Sequence, residues 1–400
     1  MITAILRAPF CFRPWRPAHL RLIAADLAGV ARQPVRTHEA HLRGLLGWLC
    51  RAQDVRNGCL DDGSVSACWS FEGGWLRGYP ETSGYIIETF LAAADCLRQP
   101  ELRARASRIV DWELSIQNAD GSFPGHLGER GSRPVIFNTG QIMHGMLAGY
   151  LELGRDECLE AAVNAAHWMI ASQDGDGCWR RNELNGVPHA YNTRAAWALL
   201  RTGLVADDAR IVAAARRNID WALTQQSESG WFRTNGFTAD QIPFTHTVAY
   251  AIRGILECGV LLDEARYVEA ALKSARGLAA QQRADGFLAG TYGDGWVPQA
   301  RYCCLTGLAQ IALNWLRLDQ HTGRDEFGAP ADLALEYLKR NHRLTGHRTP
   351  DDGGVAGSAP IWGRYSIFKY PNWAAKFFAD ALMIRILGRA IPAVDRGRKA

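Results

Sequence analysis

One pattern constrains this chain more than any other: an aromatic residue, a glutamine five positions on, then a loop rich in Gly and Asp. Trp48 with Gln53, Trp112 with Gln117, Trp168 with Gln173 and Trp221 with Gln226 carry it intact. Gly277 with Gln282 is a degenerate fifth copy, and Tyr337 with His342 a weaker sixth. Successive anchors lie 64, 56, 53, 56 and 60 residues apart. A period of that size marks a repeat architecture, in which each unit buries its apolar face only against its neighbours.

After each anchor comes a turn-rich stretch, such as "NADGSF", "DGDGCW" or "DDGGVAGS", and then a second helical pattern that usually opens near a threonine. Examples are "ETSGYIIETFLAAADCL", "NTRAAWALLRTGL" and "HTVAYAIRGILECGV". Asn and Thr there are expected as helix N-caps. The second helices are apolar on most sides, as a helix buried in the middle of a protein is. The first helices, such as "ARASRIVDWELSIQ", are amphipathic. The first and last copies resemble each other closely, "DDGSVSACW" with "DDGGVAGSA" and "YPETSGYIIETF" with "YPNWAAKFFADA". An open solenoid would end in polar caps. Apolar ends instead predict that copy six packs on copy one, giving an all-α fold, an (α/α)6 toroid of inner and outer helices. The expected layout is an irregular N-terminal arm over 1–40, a single toroid domain over 41–390 and a basic tail over 391–400. Outer-to-inner connections run about 20 to 31 residues from anchor to helix and the returns are short, so the long loops gather on one face, where a site is expected.

Composition narrows the function. A net charge of +4 over 400 residues gives no reason to expect nucleic acid. No run of eighteen apolar residues is present, so no membrane span is expected, and the first residues lack the long apolar core of a signal peptide. Ten cysteines without a CxxC pair, many inside apolar helical stretches, suggest free thiols in a reducing, cytoplasmic setting.

The aromatic-x4-Gln pattern followed by Gly-x-Trp resembles the QW repeat of squalene-type cyclases and protein prenyltransferase β subunits. Six-hairpin glycosidases, pectate lyases and uronyl C5-epimerases share the architecture that this resemblance implies. Segments such as "DDGSVSACWSF", "FNTGQIMHG", "YNTRAAWALL" and "THTVAYAIRG" are similar to bacterial proteins encoded beside exopolysaccharide and O-antigen genes and loosely labelled prenyltransferase-like. That likeness implies polysaccharide metabolism. Isoprenoid chemistry would want acidic motifs that are missing: there is no DxDD, no DDxxD and no clear zinc-ligand set. HExxH is absent too, and neither a metal nor another cofactor is expected.

Polar residues at the inner-helix starts are the candidates for chemistry. Aligning the copies on the shared threonine places Glu81, Asn138, Asn192, His246 and Asn372 at one structural position. Glu81, Tyr85, His246 and Tyr250 are the candidate catalytic groups; His246, Tyr250 and Arg253 share one helix face at i, i+4 and i+7. Glu81 is expected to pair with a loop aspartate, Asp62 or Asp176, and Glu88 to meet Arg253 or Arg194 in an ion pair. Candidate substrate-binding residues are Arg194, Arg253, Asn138, Gln141, His144 and His189, with Tyr191, Asn192, Tyr302, Trp362, Tyr370 and Asn372. Arginine suits a carboxylate or phosphate. Trp69, Trp75, Trp179, Trp231, Trp296 and Trp362 in the long loops are candidates for stacking on sugar rings, or for packing the loops together. The aspartates before glycine read as turn residues. The expected partner is an anionic oligo- or polysaccharide, cleaved by a hydrolase or altered by a lyase or epimerase. A polyprenyl or isoprenoid enzyme and a non-catalytic saccharide-binding toroid are the alternatives. The sequence leaves the oligomeric state open.

Overall fold

A computed structural model describes residues 12–29, 34–127, 132–347 and 349–388. Helix α1 (Pro17–Leu27) precedes six helical hairpins. These are α2 (His38–Asp54) with α3 (Pro80–Leu97), α4 (Glu101–Ile116) with α5 (Ile136–Leu153), and α6 (Asp156–Ser172) with α7 (Thr193–Val205). Then follow α8 (Ala209–Thr224) with α9 (Thr245–Leu262), α10 (Ala265–Ala279) with α11 (Leu305–Thr322), and α12 (Gly328–Arg340) with α13 (Asn372–Leu387). The first helix of each pair is outer and buries one face, while the second is inner and buried nearly all round. Each inner helix packs on the next, and α13 packs on both α2 and α3, so the chain is a closed (α/α)6 toroid.

The recurrent glutamine explains how neighbours lock. Gln173 Nε2 donates to the carbonyl of Gly177 in its own loop at 3.1 Å and to that of Ala214 in the next outer helix at 2.9 Å. Gln117 does the same with Gly121 and Ala161, and Gln53 with Gly63 and Arg105. Gln282 reaches Pro330 in α12 at 3.0 Å. In copy six the glutamine is replaced by His342, whose Nδ1 stands 2.8 Å from Nδ1 of His41 in α2. The weakest copy, the sixth, is thus the one that closes the ring. The loop glycines enforce the same contact: a Cβ on Gly121 (φ +90°) would stand 2.4 Å from the carbonyl oxygen of Asn164, and one on Gly353 (φ +78°) 2.4 Å from that of Gly44. Side-chain-free Cα atoms at positive φ are what let each loop rest on the next outer helix.

Short strands zip the loops of adjacent copies together. Strand β1 (Cys68–Ser70) pairs antiparallel with β2 (Gly74–Trp75) and with β5 (Lys369–Pro371) of copy six, and β3 (Cys303–Cys304) pairs with β4 (Ser358–Ala359). Asp120, Asp176 and Asp285 accept from the backbone amide two residues on, the turn role expected of them.

The threonine and asparagine caps do not form. Helices α3, α5, α9 and α13 follow Tyr79, Val135, Phe244 and Pro371, none of which caps with its side chain. Loop carbonyls of the next copy take over: Ile136 N donates to Asn182 O, Thr245 N to Gly290 O and Asn372 N to Ala67 O. The helix starts are buried under loops, so backbone acceptors satisfy them, and threonine hydroxyls are free to tie helices together, as Thr193 does to Ala251 O.

The expected irregular arm is helical over Pro17–Leu27, and it packs across the seam. His19 stacks on Phe71 with centroids 4.0 Å apart, Arg21 pairs with Asp351 at 2.9 Å and Asp26 accepts from Ile361 N at 2.5 Å. The first eleven residues and the tail 391–400 lie outside the described residues. No helix among the described residues is long and apolar enough to cross a membrane.

Candidate active site

Outer-to-inner loops span 19 to 31 residues between helix ends, whereas the five returns between hairpins span 2 to 5. The long loops therefore form one face, with the N-termini of the six inner helices opening onto it. Under that face lies a cavity of about 210 Å³. Glu81 from α3, Asn138 from α5 and His246 and Tyr250 from α9 line it, together with Tyr191 just before α7. Tyr79, His126 and Tyr365 complete its polar lining, and Phe137, Phe237 and Trp373 supply apolar walls.

Glu81 is buried and accepts a hydrogen bond from the Tyr79 hydroxyl at 2.5 Å. Burial pushes its carboxyl up to about 7, although the Tyr79 bond and the Arg194 charge pull the other way. Among the lining residues it is the one carboxylate. Asp62 and Asp176, expected as its partners, instead pair with Arg108 and Arg180. His246 is held neutral: burial, then Arg194, pushes it down to about 3. Its Nδ1 meets the Gln310 amide nitrogen at 2.6 Å, which leaves the ring proton on Nε2. The His246 ring lies 4.5 Å from Tyr250 and 5.0 Å from Tyr365. Burial raises the phenol of Tyr250 well above its ordinary range.

One layer deeper the inner helices hold charge. Tyr85 is fully buried beside Phe377, below the cavity rather than in it. Arg194 is also buried there; its Nε donates to Gln141 Oε1 at 2.8 Å, and its guanidinium lies 5.4 Å from the Tyr250 ring centre. His144 bridges Arg194 O at 3.2 Å and Arg201 at 3.0 Å. Arg253 sits beside Glu257 at 2.8 Å. Glu88 pairs with Arg201 at 2.7 Å, not with the expected Arg194 or Arg253, because Arg201 projects from α7 at the same depth as Glu88 in α3.

The remaining candidates lie elsewhere. His189 spans the carbonyls of Gly236 and Leu184 at 2.9 and 3.0 Å and stacks on Tyr191, tying two loops together. Asn192 donates to Glu183 at 2.7 Å, and Asn372 donates to Ser66 O and Thr82 Oγ1 across the seam. So of the five aligned residues, Glu81, Asn138 and His246 reach the cavity and the other two hold loops. Tyr302 and Trp362 line an outer groove with Arg301 and Arg364, and Tyr370 another beside Asp26. Of the loop tryptophans, Trp179 is fully buried and Trp69 and Trp296 nearly so, whereas Trp362 is 38% exposed.

Phe137 and Trp373, neighbours of the aligned asparagines, were legible from that alignment but not singled out. Phe237 and His126 come from loops without periodicity and carried no signal. Among the described residues no three His, Cys, Asp or Glu side chains gather at metal-binding geometry.

The family model of the squalene-hopene cyclase C-terminal domain matches residues 79–269. No curated protein matches the chain. Among solved structures, the unsaturated glucuronyl hydrolase of Bacillus sp. GL1, responsible for glycosaminoglycan degradation, is similar with a TM-score of 0.69 at 15% identity, over 87% of this chain and 97% of its own. The cellobiose 2-epimerase of Bacillus thermoamylovorans is similar with a TM-score of 0.66 at 13% identity, over 86% and 98%. A Klebsiella pneumoniae protein described as a possible member of the GH105 family gives 0.66 at 14%, over 89% and 96%. These likenesses show a shared toroid fold.

Proposed function

We propose that this chain is a carbohydrate-active enzyme that transfers a proton to or from an acidic saccharide at Glu81. The observation that carries this reading is a single buried carboxyl, pushed up to about 7, in a cavity walled by aromatic rings and facing a neutral histidine. A group titrating near the working pH serves as acid when protonated and as base when ionised. His246, with its Nδ1 occupied by Gln310, offers Nε2–H as a donor to negative charge developing on the substrate. The Arg194 charge beneath the floor and the converging helix N-termini favour an anion. About 210 Å³ is below the roughly 300–1,000 Å³ of drug-sized sites and suits one sugar ring at the end of a chain.

One carboxylate favours elimination, epimerisation or proton-initiated hydrolysis over displacement by a carboxylate pair, which needs two acids about 5–9.5 Å apart. The neighbours named above, two acting on sugars by their names, support the saccharide class. Proton NMR in deuterated water with a panel of uronate-containing oligosaccharides tests the reading. New reducing ends, unsaturated products or exchange at a carbon acid, each lost in Glu81→Gln, are expected. No signal across the panel overturns it.

A second reading, proton-initiated cyclisation of an isoprenoid, draws on the cyclase-domain match and on the protonated acid among aromatic rings. The Arg194 cation below the floor opposes it, since it would repel a carbocation in the cavity. Product formation from a polyprenyl substrate, with none from the saccharides, would decide for it.

A further inference from the structure

Beyond the Glu81 cavity, two larger hollows open on the loop face. One, of about 460 Å³, lies between the end of α1, the loop after α10 and the end of α12. The other, of about 730 Å³, lies between the loops that precede α9, α11 and α13. Arg301, Pro360 and Trp362 border both, so the two form one groove. Phe244 lines its near end. The Phe244 ring lies 5.2 Å from Tyr365 and 5.8 Å from Phe237, both of which line the Glu81 cavity. Aromatic rings alone therefore stand between groove and cavity at that point.

The groove carries arginines that no carboxylate holds. Elsewhere on the surface arginines pair between copies, as Arg105 does with Asp54 at 2.7 Å and Arg276 with Glu326 at 2.6 Å. Arg301, Arg340 and Arg364 make no hydrogen bond or ion pair among the described residues. Arg343 Nε is buried without an acceptor; Asp351, 3.6 Å away, is held by Arg21 at 2.9 Å. Of the bordering carboxylates, Asp285 holds Arg283 at 2.8 Å and Asp26 accepts from Ile361 N, while Asp240 stands on the rim.

Aromatic rings sit among these cations. Trp362 is 38% exposed, whereas Trp69, Trp179 and Trp296 are buried. Tyr302 is wedged between two glycines: a Cβ on Gly290 or Gly363 would stand 2.4 or 2.8 Å from its ring. A flat ring beside unpaired guanidinium groups matches a sugar that bears a carboxylate. The apolar C–H face of such a sugar rests on the ring, and arginine takes the carboxylate bidentately.

Building on the saccharide reading of the Glu81 cavity, we propose that this groove binds the continuing chain of an anionic polysaccharide whose terminal unit occupies that cavity. The substrate is then a polymer rather than a free disaccharide. Each hollow of the groove has more than twice the 210 Å³ of the Glu81 cavity, room for more than the one unit held there.

Isothermal titration calorimetry of Glu81→Gln with uronate oligomers, from disaccharide to octasaccharide, tests the groove without turnover. Oligomers of polygalacturonate, alginate and hyaluronate are the probes. Affinity for at least one series should climb with length by about tenfold or more, the value of one hydrogen bond to a charged group. Arg301 and Trp362 are both exposed, so adding Arg301→Ala and Trp362→Ala should leave the fold intact. Those two changes should flatten the climb and leave the disaccharide's affinity within about twofold. Affinity flat with length in every series, or a climb that survives both changes, would overturn the proposal. So would equal binding of polyglutamate, a polyanion without sugar rings, which would assign the groove to an acidic protein. Length-dependent binding without turnover in the wild-type chain would leave the groove standing and sink the enzyme reading; turnover with flat affinity would do the reverse.

Discussion

Glu81 and its neighbour Tyr79 show how one side chain sets the behaviour of another. If Glu81 delivers the proton, kcat/KM falls as pH rises through about 7, where its carboxyl ionises. The Tyr79 hydroxyl stabilises the ionised form, so Tyr79→Phe should move that limb to higher pH, which a pH–rate profile measures. Glu81→Gln keeps the shape and removes the proton, and a loss of about 10²–10⁴ in kcat is expected. A loss below tenfold would assign Glu81 a binding role. At this scale the sequence was informative: Glu81, Asn138 and His246 stood out as polar residues at one position of otherwise apolar helices, and all three reach the cavity. Asn192 and Asn372 stood out equally and hold loops instead, because which way an aligned side chain turns depends on the loop above it.

At the scale of the helical hairpin, the glutamine contact is the repeating joint. Gln173→Leu leaves the carbonyls of Gly177 and Ala214 without that donor, and a loss of about 1–3 kcal/mol in urea unfolding is expected. The aromatic-x4-Gln spacing was visible in the sequence, but its function as a bridge to the next outer helix was not, since Ala214 lies 41 residues away. The caps misled for a related reason. Thr139 and Thr193 have the right chemistry for helix N-caps, yet carbonyls from adjacent copies occupy that role once the loops fold over the helix starts.

For the whole molecule, a pH-sensitive joint lies at the seam where copy six meets copy one. The His41–His342 contact needs one ring to donate and the other to accept, so at least one ring is neutral. Burial and the mutual repulsion of the rings hold His41 down to about 3, and burial holds His342 down to about 4. Unfolded, both titrate near 6.5. Their contribution is therefore complete above about pH 6.5 and is lost as pH falls toward 4, where the unfolded chain binds protons that the folded one refuses. Hydrogen exchange over that range should show α2 and α12 losing protection before α6 and α8; uniform loss would contradict a seam that opens first. Gly353→Ala presses a Cβ against the Gly44 carbonyl at the same seam. It should cost at least about 1–3 kcal/mol, read as a lowered urea midpoint.

The sequence by itself determined the toroid: six copies of one period, inner helices apolar on nearly every side and matching apolar ends leave ring closure as the way to bury both ends. It also determined that the long loops share a face. Only the tertiary structure decided which polar side chains meet. Glu81 from α3, Asn138 from α5 and His246 from α9 converge because three inner helices pack around one axis, and Arg201, unremarked in the sequence, took the carboxylate expected for Arg194 or Arg253. Periodicity fixes which face of a helix is buried, but depth along the axis and the rotation of each helix are set by packing against neighbours 50 or more residues away, as for Gln141 and Arg194, 53 residues apart.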